Sequence, residues 1–438
     1  MAPDGTDIRL MKPMNSSQSS SNSFKSYALP FALVTSLFLL WGVANNMNDT
    51  LLAAFKRIMS MSDLQTSLVQ FAFYGSYFCF ALPAAFFIRK FSYKSGIIIG
   101  LMLYAFGTIL FTPAGNVGSY PFFLLAIYVM AGGCAILETT ANPMILAMGP
   151  AESATRRLNI AQTFNPVGAI LGILLSRYLI LSELHSANAA ERSMMTDEAL
   201  ALLRRHEFGA ISHTYMLIGI ALLVLMIIIF CVRMPSDRDT TVTALSVGDI
   251  FRKLWRKRRY RFGVVAQFFY VGAQTCVWSF TIRLAMDELH IREAAASDYF
   301  LYSILAFTLC RFIFTMLMKR YSPARLMSAA SVGAIICTLT VIFTSGLTAV
   351  VALVLVSDFM SLMFPTIYGI ALAGIQGAEA KIASSGLIMA IVGGALITPM
   401  QGLVSDLCGN ISVSFVVPLV CFFVILTYSL GVIRVTKK

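Results

Sequence analysis

The sequence predicts an all-α membrane protein of twelve transmembrane helices, arranged as two pseudo-symmetric six-helix bundles. Three observations predict it. Of its 438 residues 58% are hydrophobic and only 12% are charged, a balance too apolar for an ordinary soluble domain. About a dozen apolar stretches of roughly 20 residues, the length of a bilayer crossing, are separated mostly by connections too short to fold alone. The second half also repeats the first at a nearly constant offset. Ala44-Asn45-Asn46 through Asp49 aligns with Ala273-Gln274-Thr275 through Trp278, RKFSYK from Arg89 with KRYSPA from Lys319, and Asn142-Pro143 with Phe364-Pro365. A duplicated six-helix unit is the plan of a rocking transporter, whose site lies between the repeats.

Residues 1–27 are polar, with NSSQSSSNS at 15–23, and read as a disordered cytoplasmic tail without a cleavable signal, so the first span doubles as the targeting signal. Hydropathy places the spans of an N-terminal bundle, 28–233, at about 28–53, 64–88, 96–112, 121–148, 157–182 and 212–233. The excursion 183–211 lies outside, and its DEALALLRRHEF segment is expected to form a short amphipathic surface helix. A polar cytoplasmic linker, 234–261, follows. The C-terminal bundle and short tail, 262–438, carry spans at about 262–286, 296–318, 324–345, 347–374, 382–404 and 413–433.

The net charge of +12 is a feature of the connections, which argues against a nucleic-acid partner. The linker cluster RKLWRKRRYR joins Arg89, Lys90, Lys94, Arg156, Arg157, Lys319, Arg320 and Arg325 on one side. Roughly two dozen basic residues then face about a third as many opposite, which places both termini in the cytoplasm. The cluster reads as a topology anchor; docking of a lipid or protein is the alternative. Seven of the eight cysteines fall inside spans and Cys408 in a loop, with no disulfide framework or metal spacing. His185, His206, His213 and His290 lie in outer loops or at span ends. No Gly-rich phosphate loop with Lys is present, so neither ATP nor another cofactor is expected.

One acidic residue organises the rest. Glu138 stands in the apolar run VMAGGCAILETTANPMIL, about 26 Å from the outer end of span four, where a carboxylate is costly and usually serves a watery cavity. Cys134 and Asn142 share its helical face. Trp41, Asn45 and Asp49 recur every four residues on span one, flanked by Asn46. Span five adds Asn159, Gln162 and Asn165 before Pro166 and Gly168, and span seven adds Gln267, Tyr270, Gln274 and Trp278. Amides and carboxylates beside aromatic planes are what a sugar needs, since hydroxyls require paired donors and acceptors while C–H faces stack on rings. Each has a plainer reading. Asn159 is expected to be interhelical glue, Gln162, Asn165 and Gln274 fit either role, and Asp49 could cap a helix end. Arg311 in span eight and Asp358 in span ten are costly charges at comparable depth and are expected to pair, although the long Arg stem could instead reach the interface.

The segments FALVTSLFLLWGVANNMND, FAFYGSYF, PAAFFIRKFSYKSGIIIGL, LETTANP, LNIAQTFNPVGA, YVGAQTCVWSFTIR and GGALITPMQGLVSD closely resemble the fucose/glucose/galactose family of the major facilitator superfamily, along essentially the whole chain. Glu138 in LETTANP and the GAQTCVW motif resemble its fucose branch, whereas Asp358 and LMFPTI depart from it, the latter toward the glucose branch. The resemblance implies that Asp49 and Glu138 exchange protons, with the proton as coupling ion. It also implies that Asn46, Gln162 and Asn165 contact sugar; with Asn45, Asn142, Gln274 and Trp278 they form the candidate binding set. The expected function is not enzymatic. It is proton-coupled import of a neutral monosaccharide, L-fucose foremost, by a monomer that alternates access across a bacterial inner membrane. Uptake of another hexose by the same mechanism is the alternative, and a sugar sensor that moves nothing is the alternative of another class.

Overall fold

The computed structural model describes residues 16–59, 63–184, 192, 194–234 and 247–436, and helix dominates throughout. Span one is Ser16–Met59 and span two Asp63–Lys90. Spans three to six are Tyr93–Val117, Tyr120–Ala147, Ala151–Ile180 and Asp197–Cys231. After the linker helix Val247–Arg256, span seven is Arg258–Leu289, span eight Glu293–Leu317 and span nine Pro323–Phe343. Spans ten to twelve are Leu347–Leu372, Gly377–Cys408 and Val416–Thr436. Ten helices are long and apolar enough to cross a membrane among the described residues. Span one contributes the shorter apolar helix Ala28–Ala44, and span seven is diluted by Gln267 and Gln274.

Besides a short break in span three at Leu110, three spans are interrupted where the sequence offers no regular ladder. Span five breaks at Thr163, between Ala154–Gln162 and Phe164–Leu175. Span ten breaks between Leu347–Met360 and Met363–Leu372, and span eleven between Gly377–Met389 and Gly393–Cys408. Pro166 and Pro365 follow the first two breaks by three or four residues, and a proline removes the N–H that would bond the carbonyl four residues back. One expectation fails here. DEALALLRRHEF is not a separate surface helix but the first turns of span six, capped by Thr196, whose side chain accepts from the Ala199 N–H. Its Glu207 is buried in a bidentate pair with Arg192 at 2.6 and 2.9 Å.

Packing repeats as faithfully as sequence. Span one lies on five, two on four, three on four and three on six; seven lies on eleven, eight on ten, nine on ten and nine on twelve. Each pair recurs six spans later. The closest approaches recur too: a Cβ on Gly168 would meet the Leu39 carbonyl oxygen at 1.9 Å, and one on Gly393 the Phe268 oxygen at 2.1 Å. Only glycine lets these backbones touch.

The halves meet through spans two and eleven, four and eleven, five and eight, and five and ten. The segments that carry most of this contact, Ala154–Gln162, Met363–Leu372 and Gly377–Met389, all lie toward the end where the linker joins the bundles. The seam between the halves is therefore closed at the linker end.

Candidate functional site in the seam between the halves

Glu138 sits just beyond that closure. The carbonyl of the next residue, Thr139, accepts from Ser384 Oγ of span eleven at 2.7 Å, and Ser384 in turn bonds Tyr368 of span ten. Glu138 itself is buried, and no hydrogen bond to its carboxylate is formed among the described residues. Tyr77, Cys134 and Tyr368 stand near enough to feel its charge. A carboxylate held in a low-dielectric site without donors is poorly compensated when ionised.

One turn along span four, Asn142 meets span five. Its Oδ1 accepts from Gln162 Nε2 at 2.9 Å, while its Nδ2 is buried with no partner. A free buried amide N–H₂ beside a carboxylate suits a polar guest, because an unmatched donor of this kind costs about 1–3 kcal/mol until something accepts from it. On span one, Trp41 donates to the Tyr77 hydroxyl at 2.9 Å and lies 5.2 Å from Phe38. Asn46 is half-buried beside Gly172, its amide reaching back to the Gly42 carbonyl at 3.2 Å. Asn165 is half-buried where spans one and five touch. The side chains of Asn45 and Asp49 fall outside the described residues.

The second half presents Gln274 and Trp278. Gln274 is half-buried and unbonded among the described residues. Trp278 donates to Ser357 Oγ at 3.2 Å and stands edge-on to Phe307, with centroids 5.2 Å apart. The other two span-seven candidates turn inward. Tyr270 donates to the Met360 carbonyl at 3.2 Å, and Gln267 is fully buried with both amide atoms unpartnered. Asn159 bonds Thr366 Oγ1 across the halves at 3.3 Å and the Thr155 carbonyl at 2.9 Å, so it is a strut of the closed end.

The expected Arg311–Asp358 pair does not form. Arg311 Nε donates to the Ser361 carbonyl at 2.5 Å, its Nη1 donates to the Gln162 carbonyl at 2.9 Å, and the guanidinium lies 4.6 Å over the Phe307 ring. Both carbonyls stand four residues before a proline, Pro365 and Pro166, so neither has a helical donor. One guanidinium thus caps two helix breaks from opposite halves. Asp358 neighbours Cys310 and leaves Oδ1 unpartnered. Matching charge and depth suggested the pair; the orphaned carbonyls won because they are fixed, desolvated and within reach of a rigid fork of donors. Sequence reasoning also missed Tyr77, Ser357, Tyr368 and Ser384. The hydroxyls had no local signal, although each i to i+4 carbonyl–proline spacing was visible.

Residues 31–399 match the model of the Major Facilitator Superfamily. The chain belongs to the major facilitator superfamily. Within this superfamily the chain is similar to the L-fucose-proton symporter of Haemophilus influenzae, 40% identical over 94% of this chain and 98% of that one. It is 38% identical to the L-fucose-proton symporter of Escherichia coli, over 92% and 93%. The glucose/galactose transporter of Brucella abortus is 32% identical over 97% and 98%. Among solved structures, that of the superfamily transporter FucP in the outward conformation superposes with a TM-score of 0.87 at 37% identity, over 93% of this chain and 99% of that chain.

Proposed function

We propose that the chain is a proton-coupled symporter that imports L-fucose across a bacterial inner membrane, with both termini in the cytoplasm. The observation that carries this reading is the buried Glu138, without a hydrogen-bond donor among the described residues, one helical turn from the Asn142–Gln162 amide pair, in a chain 40% and 38% identical along most of its length to two L-fucose-proton symporters. Asn142 Nδ2, Gln162, Asn165, Asn46 and Gln274 supply donors and acceptors for the ring hydroxyls. Trp278 supplies an apolar plane, and Asn45 and Asp49 complete the set on span one.

The cycle follows from the charge. With the linker end cytoplasmic, the seam closed there leaves the site facing outward. A proton taken up by Glu138 removes the charge that opposes its burial, and sugar fills the unmatched amide valences. The loaded carrier then reorients once Asn159–Thr366, Ser384–Thr139 and Arg311–Gln162 release. One charge moving through 100 mV supplies about 2.3 kcal/mol, enough for roughly a fiftyfold gradient of a neutral sugar.

Labelled L-fucose should accumulate in energised vesicles and drain on addition of a protonophore. Binding without accumulation would make the protein a sensor instead. L-galactose, which differs from L-fucose only by a hydroxyl on carbon six, should displace the label better than D-glucose, because a site built around particular hydroxyls discriminates strongly against their misplacement. The reverse ranking would assign the protein to the hexose branch and leave the proton mechanism intact.

A further inference from the structure

The linker helix Val247–Arg256 has three faces, and two are accounted for. Ile250 and Leu254 are fully buried where the helix packs on spans seven and eleven. Lys253, with Lys257 just beyond the helix, pairs with Glu379 of span eleven. The third face carries Phe251 and Trp255, exposed and stacked 6.1 Å apart at 12°, and Arg252 and Arg256, both exposed. Neither arginine has a carboxylate partner among the described residues. Opposite them Arg261 of span seven lies 5.1 Å over Phe262. Together with Gly248 and Leu82 of span two, these side chains line a groove of about 750 Å³.

Leu82 gives the groove its direction. It lies on the outward face of span two with Phe71, Phe78 and Phe86, whose seven- and eight-residue spacing keeps them on one side of the helix and which are all exposed. In a membrane protein that stripe faces hydrocarbon. The groove is therefore lined by three arginines of the linker helix and the start of span seven, with an apolar floor that runs on into the bilayer. A free anion would use the arginines and leave the floor bare, and an acidic peptide could not follow the floor among lipid chains.

We propose that this groove binds an anionic phospholipid. Its headgroup phosphate sits among Arg252, Arg256 and Arg261, and one acyl chain lies along Phe78, Leu82 and Phe86. Arginine suits the role because its planar fork grips phosphate oxygens in pairs, tryptophan is at home at headgroup depth, and basic segments beside a span attract acidic lipids. The lysines of the same cluster are engaged with Glu379, so charge alone does not define the site. The lipid would bridge span two of one half to the linker helix and span seven of the other, across the seam that is closed at this end.

The test is native mass spectrometry of the intact protein released from mixed phosphatidylglycerol and phosphatidylcholine. The wild type should retain phosphatidylglycerol, and the double variant Arg252→Gln, Arg256→Gln should lose at least tenfold of it. The variant Lys319→Gln, Arg320→Gln removes the same charge from exposed positions at that end and should keep it. Equal loss in both variants would reduce the effect to bulk charge, unchanged retention in the first would remove the site, and displacement by millimolar inorganic phosphate would make it a free-anion site; each result overturns the proposal.

Discussion

The two halves share one packing plan and treat their buried charge in opposite ways. In the first half Glu138 is buried without a hydrogen-bond donor among the described residues. In the second, Arg311 is equally buried but engaged with two carbonyls and an aromatic ring. A group that must gain and lose a proton has to be left free to do so, whereas a guanidinium never loses its charge and can serve as a permanent structural cap. On the proposed function, one half carries the variable charge, Glu138, and the other holds the fixed charge, Arg311.

The largest effect should come from removing the variable charge. Glu138→Gln keeps the side-chain shape and a neutral state, so it should exchange sugar across the membrane yet fail to concentrate it, a loss of roughly the whole fiftyfold gradient available from one proton. Counterflow and protonophore-sensitive uptake measured on the same vesicles separate the two activities. Uphill accumulation by the Gln variant would remove Glu138 from coupling.

Arg311→Met should come next. Two carbonyls that precede prolines would be stranded, at about 1–3 kcal/mol each, and one contact between the halves would be lost at the closed end. The thermal unfolding temperature in detergent should therefore fall. Arg311→Lys should restore one of the two bonds at best, because an ammonium lacks the fork. Full recovery by Lys would show that charge, not capping, is what matters.

The shared plan can be tested with paired glycines. Gly168→Ala and Gly393→Ala each drive a methyl into a backbone oxygen at 1.9 and 2.1 Å, so each should cost about 1–3 kcal/mol through overpacking. Equal penalties would support true equivalence of the two contacts, and a harmless variant on one side would show that the repeat has relaxed there.

Much of this was legible in the chain. Hydropathy and the offset repeat fixed twelve helices, because burial in a bilayer leaves helices as almost the only way to satisfy the backbone. Glu138 and Asn142 read as one polar stripe with Cys134 on span four, and Gln162 as a separate candidate on span five; the structure joins Gln162 to Asn142. What failed was anything that depended on a distant partner. DEALALLRRHEF reads as a surface helix locally, but the buried Arg192–Glu207 pair and an unbroken helical ladder make it part of span six. Gln267 shares the periodicity of Gln274 yet is fully buried where Gln274 is only half-buried, since a face in sequence does not say which neighbour covers it.

The smallest effect sharpens the contrast most directly. If Arg311 answered Asp358, deleting both charges would repair what deleting one damages, because a lone buried charge costs more than a missing pair. The observed geometry gives Asp358 no such role. Asp358→Asn alone should change stability by no more than about 1 kcal/mol, and adding it to Arg311→Met should rescue neither unfolding temperature nor transport, since the stranded carbonyls of Gln162 and Ser361 remain stranded. The readout is a double-mutant cycle with a coupling energy within about 0.5 kcal/mol of zero. Rescue of the Arg311 defect by Asp358→Asn would restore the ion pair as the reason for the arginine and demote its two carbonyl bonds to a feature of this conformer.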